Sequence, residues 1–141
     1  MADEFEAACD HLSTAVDSVQ FERIRWARTE GPMLEALVGL ARDALASRSE
    51  FELTEEGTSG ACRRFVLKVH SFRIAAINIA LEGQTVAVWG EAIDRGRARM
   101  PHSQRHTDEY AAVDEEWIKR ALGAVFGEIQ PDGRAANNPV A

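Results

Sequence analysis

Few side chains in this sequence have the type and spacing to do chemistry. His70 and Glu91 are the one acid/base-capable pair that strand register (argued below) brings side by side. An imidazole next to a carboxylate is held charged and oriented, as a general base often is. The stretch DRGRARMPHSQRHT, residues 94–107, sets Arg95, Arg97, Arg99 and Arg105 at near-alternate spacing with no apolar period. Guanidinium groups in such a loop fork onto phosphates or carboxylates, or else neutralise the protein's own acidic surface. His102 and His106 stand four apart, the spacing that puts two metal ligands on one side of a helix. Pro101 precedes them, Ser103-Gln104-Arg105 is a poor helical stretch, and the neighbouring arginine repels a cation. No metal and no cofactor is therefore expected. Cys9 and Cys62 lack CxxC spacing and read as reduced, packed thiols of a cytoplasmic protein. His11 lies beside an apolar stripe, and no GxSxG, HExxH, P-loop or GxGxxG motif occurs, so catalysis is not the leading expectation.

Any of these groups must be positioned by regular elements. Phe5, Cys9, Leu12, Val16 and Val19 recur at spacings of 4, 3, 4 and 3, which predicts an amphipathic helix over roughly residues 3–20. Residues 21–29 fit a strand or a continued helix equally. Gly31-Pro32 then resets the chain, and Leu34, Leu37, Val38, Ala41 and Leu45 predict a second helix over 32–47. A third starts near Asp114, a good N-cap, and carries Trp117, Ile118, Ala121, Leu122, Val125 and Phe126 as its apolar stripe up to Gly127.

Between residues 50 and 93 the period changes from 3.6 to 2. FELTEE, CRRFVLKVH, RIAAINIAL and QTVAVWGEAI read as four strands. A two-residue turn at Glu82-Gly83 sets Ile79 opposite Val86 and Ile77 opposite Val88. A three-residue loop, Ser71-Phe72-Arg73, sets Leu67 opposite Ile77 and Phe65 opposite Ile79, collecting the large apolar side chains on one face. The expected fold is α+β: a two-layer α/β sandwich in the order α-α-β-β-β-β-α. A four-stranded antiparallel meander is covered on one face by three helices. Residues 1–129 read as a single domain and 130–141 as a disordered tail with too little to bury.

The same register composes the second face of the sheet. Lys68, Ala76 and Trp89 form one row; His70, Ile74 and Glu91 the next; Val66, Asn78 and Ala87 a third. Small alanines around one tryptophan suit a homodimer seam, a ligand platform with Trp89 as stacking surface, or a tolerated exposed face. Lys68, His70, Ile74, Trp89 and Glu91 are accordingly the interface or ligand candidates.

Composition excludes some partners. Sixteen Lys+Arg against 23 Asp+Glu leave a net charge of −7, and a field of that sign repels nucleic acid and anionic membranes. Residues 1–58 hold 13 acids and 5 bases, whereas 95–106 hold four arginines and no acid. The N-terminus has no apolar signal core and no run of 18 apolar residues exists, which points to the cytoplasm and away from membranes. The expectation is a non-enzymatic interaction module, homodimeric through the Trp89 face. The first alternative is a regulator taking nucleic acid or another phosphate-rich anion on Arg95, Arg97, Arg99 and Arg105; the second is an enzyme using His70 and Glu91. In size, acidity and helix–sheet–helix order the chain resembles the small secretion chaperones that hold partly unfolded effector proteins. The resemblance is one of architecture and carries no residue across.

Overall fold

The computed structural model describes residues 2–57 and 60–131. The chain forms two compact units, residues 1–33 and 34–141. In the first, α1 (Ala2–Val16) and α2 (Ser18–Arg28) form a helical pair. The expected single helix over 3–20 breaks at Asp17, whose extended backbone (φ −158°) caps α2 by accepting a hydrogen bond from the Gln20 amide at 3.1 Å. The ambiguous residues 21–28 are thus helical, held by Asp17 at the start and by the Glu22–Arg25 pair one turn apart. α3 (Glu30–Ala44) follows, with Pro32 in its first turn.

The second unit has an α+β architecture. Strands β1 (Phe51–Glu55), β2 (Cys62–Val69), β3 (Phe72–Glu82) and β4 (Thr85–Glu91) form the expected antiparallel meander. A further strand, β6 (His106–Glu109), extends it to five in the order β1-β2-β3-β4-β6. β5 (Ala98–Arg99) pairs with β7 (Gln130–Pro131) in a separate two-stranded ribbon. The tail expected from residue 130 therefore begins with a strand; residues 132–141 lie outside the described residues. A single 3₁₀ turn (Tyr110–Ala112) leads to α4 (Glu115–Glu128), capped by Asp114, which accepts from the Trp117 amide at 2.8 Å.

Strand parity holds and both turns move. β3 and β4 are joined through Gly83-Gln84, with Gly83 at φ +63°, so Ile79 faces Val88 and Leu81 faces Val86. Glu82 belongs to the strand and pairs with Thr85. The β2–β3 turn is His70-Ser71, both left-handed at φ 52° and 71°. Phe65 accordingly faces Ile77, and Leu67 faces Ala75. Each register differs from expectation by two residues, an even number, so the same side chains keep the same faces. The exception is Ile74. A bulge between Leu67 and Lys68 pairs Lys68 with Arg73 and leaves Ile74 as the extra residue of β3. Ile74 shares an apolar depression with Phe51, Leu67 and Phe126 and does not join Glu91 on the other face.

The core lies between the sheet and the helices. Phe65, Ile77 and Val88 are fully buried, and Leu34, Leu37 and Val38 of α3 and Ile118, Leu122 and Val125 of α4 cover them. Leu53 adds β1 to the same layer. Salt bridges fasten its margin: Arg63 spans Glu55 and Glu35 at 2.7 Å each, and Arg48 binds Glu50 at 2.6 Å. The Arg48 guanidinium holds the Glu50 carboxyl at about 2, against an ordinary 4.5. Arg73 lowers Glu56 in the same way. Because the folded-state values are the lower ones, this stabilisation is complete above the unfolded-state pKa and is lost as pH falls from about 4.5 through about 2. The melting temperature is expected to fall across that window, and Glu50→Gln should flatten the fall in a pH series of thermal melts. Among the described residues no helix is long and apolar enough to cross a membrane.

Candidate functional site

The second face of the sheet, away from α3 and α4, carries a polar cluster centred on Glu91. Register sets Arg64 opposite Asn78 and Asn78 opposite Trp89, with Val66, Ala76 and Glu91 in the adjoining row. The Glu91 Oε1 atom accepts from Arg64 Nη1 and from Asn78 Nδ2, each at 2.6 Å. Asn78, 2% exposed, is the one buried polar side chain among the described residues. Its Oδ1 accepts a long hydrogen bond from the Cys62 thiol at 3.7 Å. The Trp89 ring is covered by the Arg105 guanidinium, 4.1 Å from the ring centroid, and Arg105 also reaches Glu82 at 3.4 Å. Beneath these larger groups Ala76, Ala80 and Ala87 are buried.

This arrangement binds its own members and leaves little chemical reactivity. The carboxylate of Glu91 is already shared between a guanidinium and an amide. Burial, followed by the negative charge of Glu91, pushes the Cys62 thiol up, which suppresses the thiolate a nucleophile would need. Removing the amide at position 78 strips one donor from Glu91. Asn78→Ala is expected to cost about 1–3 kcal/mol in denaturant unfolding, as loss of a buried hydrogen-bond partner does.

The sequence-derived pair of His70 and Glu91 is not formed. His70 occupies the tight turn, its backbone amide bonded to Glu50 O at 2.9 Å, while Glu91 lies in the row of Val66. Four residues of strand separate His70 from Val66, roughly 13 Å at 3.3 Å per residue. Lys68 likewise stands opposite Glu52 and Arg73 and is not in the Trp89 row. The partners of Glu91 and Trp89 are instead Arg64, Asn78 and Arg105. Their signal was the lone amide in the apolar strand RIAAINIAL, since a polar group at such a position must find a partner.

The four loop arginines do not converge. Arg97 stacks on Phe72 at 3.9 Å, whereas Arg105 stacks on Trp89. Phe72 and Asn78, the β3 neighbour of Trp89, are six residues apart, roughly 20 Å along the strand. Arg95 and Arg99 are exposed. His102 is exposed in the loop, while His106, on β6, contacts Glu128 Oε2 at 3.1 Å, so the two histidines have separate surroundings. Among the described residues no group of three His, Cys, Asp or Glu side chains could hold a metal ion.

The first unit carries a different kind of surface. Phe5, Leu12, Val16 and Val19, the stripe expected to pack into a core, are 65–77% exposed. Between α1 and α2 runs a cleft of about 360 Å³ with Glu6, Cys9 and Asp10 of α1 and Phe21, Ile24, Arg25 and Arg28 of α2 in its lining. Comparison with protein families, curated proteins and solved structures returned no match to this chain.

Proposed function

We propose that the protein is a non-enzymatic interaction module that works as a homodimer, joined through the α1–α2 helical pair. The observation that carries this reading is the exposure of Phe5, Leu12 and Val16 at helical spacing along α1, with Val19 also exposed in the first turn of α2. Exposed apolar faces of this kind mark association surfaces. A second copy is favoured as occupant by charge. Residues 2–17 contain Asp3, Glu4, Glu6, Asp10 and Asp17 and no lysine or arginine. On α2, Arg25 is held by Glu22 and Glu30, but Arg23 and Arg28 have no carboxylate partner among the described residues. An isologous pair sets the acidic helix of one protomer against the free arginines of the other, so each contact occurs twice.

The Trp89 face offers less to a second copy. Arg105 already covers the indole, Glu91 is hydrogen-bonded within the chain, and the alanines are shielded. Light scattering on two variants separates the seams. Leu12→Asp with Val16→Asp is expected to yield single chains with unchanged melting of the sheet unit, because these side chains are exposed, while Trp89→Glu keeps the dimer mass. Dissociation by Trp89→Glu alone would move the seam to the sheet and end the reading of an α1–α2 seam.

A further inference from the structure

We propose that the apolar pocket beside the β5–β7 ribbon is a binding site for a small aliphatic carboxylate, with Arg97 holding the acid group. The pocket, about 250 Å³, lies wholly within the second unit and has Phe51, Leu67, Ile74, Phe126 and Ile129 in its walls. Phe51 and Phe126 stand with ring centroids 5.6 Å apart, tilted by 34°, and close one side. Ile74 reaches the pocket because of the bulge in β3, which takes it out of the alternation of its strand.

Among the described residues Arg97 is the only charged side chain in the lining, and its position is built. Its backbone amide donates to Arg73 O at 2.9 Å. Gly96, next to it, passes so close to β3 that an added Cβ would lie 2.8 Å from Ile74 O, so only glycine lets the loop approach there. The guanidinium carbon sits 3.9 Å from the Phe72 ring centroid. No hydrogen bond to a described residue takes up its N–H groups, which a carboxylate can receive bidentately. Arg63 and Arg64 of β2, both part-buried, each have an acid partner, and so do the more exposed Arg48 and Arg73. Arg97 has none among the described residues. A cation without an acid partner beside an open apolar pocket calls for a ligand with a hydrocarbon body and one acid head, because the apolar walls favour burying the body and a single fork matches a single carboxylate. This site is independent of the helical seam proposed above.

Octanoate, octanol and acetate are the probes, titrated calorimetrically against the full-length chain. Octanoate is expected to bind, octanol about tenfold more weakly, and acetate not at all, since the first offers both parts of the ligand and the others one each. Arg97→Gln should bring octanoate down to the affinity of octanol and leave octanol unchanged. Ile129→Trp, which fills the cavity from a partly exposed wall position, should abolish binding of both, with circular dichroism confirming that each variant is folded. Equal octanoate affinity in the wild type and Arg97→Gln would overturn the proposal, as would the absence of octanoate binding at millimolar concentration.

Discussion

Phe65→Ala is expected to lower the unfolding free energy of the second unit by about 3–5 kcal/mol, read as a shift of the denaturant midpoint, as other large-to-small changes at fully buried aromatic sites do. Phe65 is 0% exposed at the centre of β2, between Glu55 of β1 and Ile77 of β3 in register. The guanidinium carbons of Arg42 and Arg63 lie 5.2 and 5.8 Å from its ring centroid. Truncation therefore opens a cavity against α3 and also leaves two cations without the ring they lie over. Ile74→Ala is the comparison. Ile74 is only half-buried and faces an open pocket, so its truncation creates no sealed cavity and should cost clearly less. Equal costs would mean that the bulge does not place Ile74 as described.

The second large effect is of the opposite kind, too much volume. Gly90 stands where β4 passes under α4, and a Cβ built there would meet Val125 Cγ1 at 2.8 Å and Met100 Cε at 2.5 Å. The methionine end can swing away. The valine is on the buried face of α4 and moves only with the helix. Gly90→Val should destabilise by about 3 kcal/mol through overpacking, measured in the same denaturant series. Val125→Ala in the same chain is expected to recover part of the loss, since it removes the nearest obstacle.

How much of this was legible follows from the physical signals present. Strand parity was, because Phe65, Leu67, Ile77, Ile79, Val86 and Val88 leave only one way to gather large side chains on a face. The turns were not. Left-handed backbone at His70 and Ser71 has no glycine or asparagine to announce it, and Gly83 fits either of two turns that preserve parity. β6, with the sequence HTDE, is an edge strand without apolar alternation and is recognisable only from the strand it pairs with. The Glu91 cluster failed in the particulars for the same reason. The two register shifts together put Val66 in the place of His70 in the row of Glu91, and Arg64 and Asn78 in the places of Lys68 and Ala76 in the row of Trp89, although Trp89 and Glu91 were on the right face. The α1 stripe was read correctly as an apolar helix face, but periodicity says that a face exists and says nothing of what covers it.

Sedimentation equilibrium of the full-length chain at micromolar concentration in moderate salt tests the homodimer most directly. The expected result is a species of two chains, twice the 15.5 kDa of one, with association weakening as salt screens the acidic helix from its partner's arginines. A single-chain mass throughout that concentration range would contradict it.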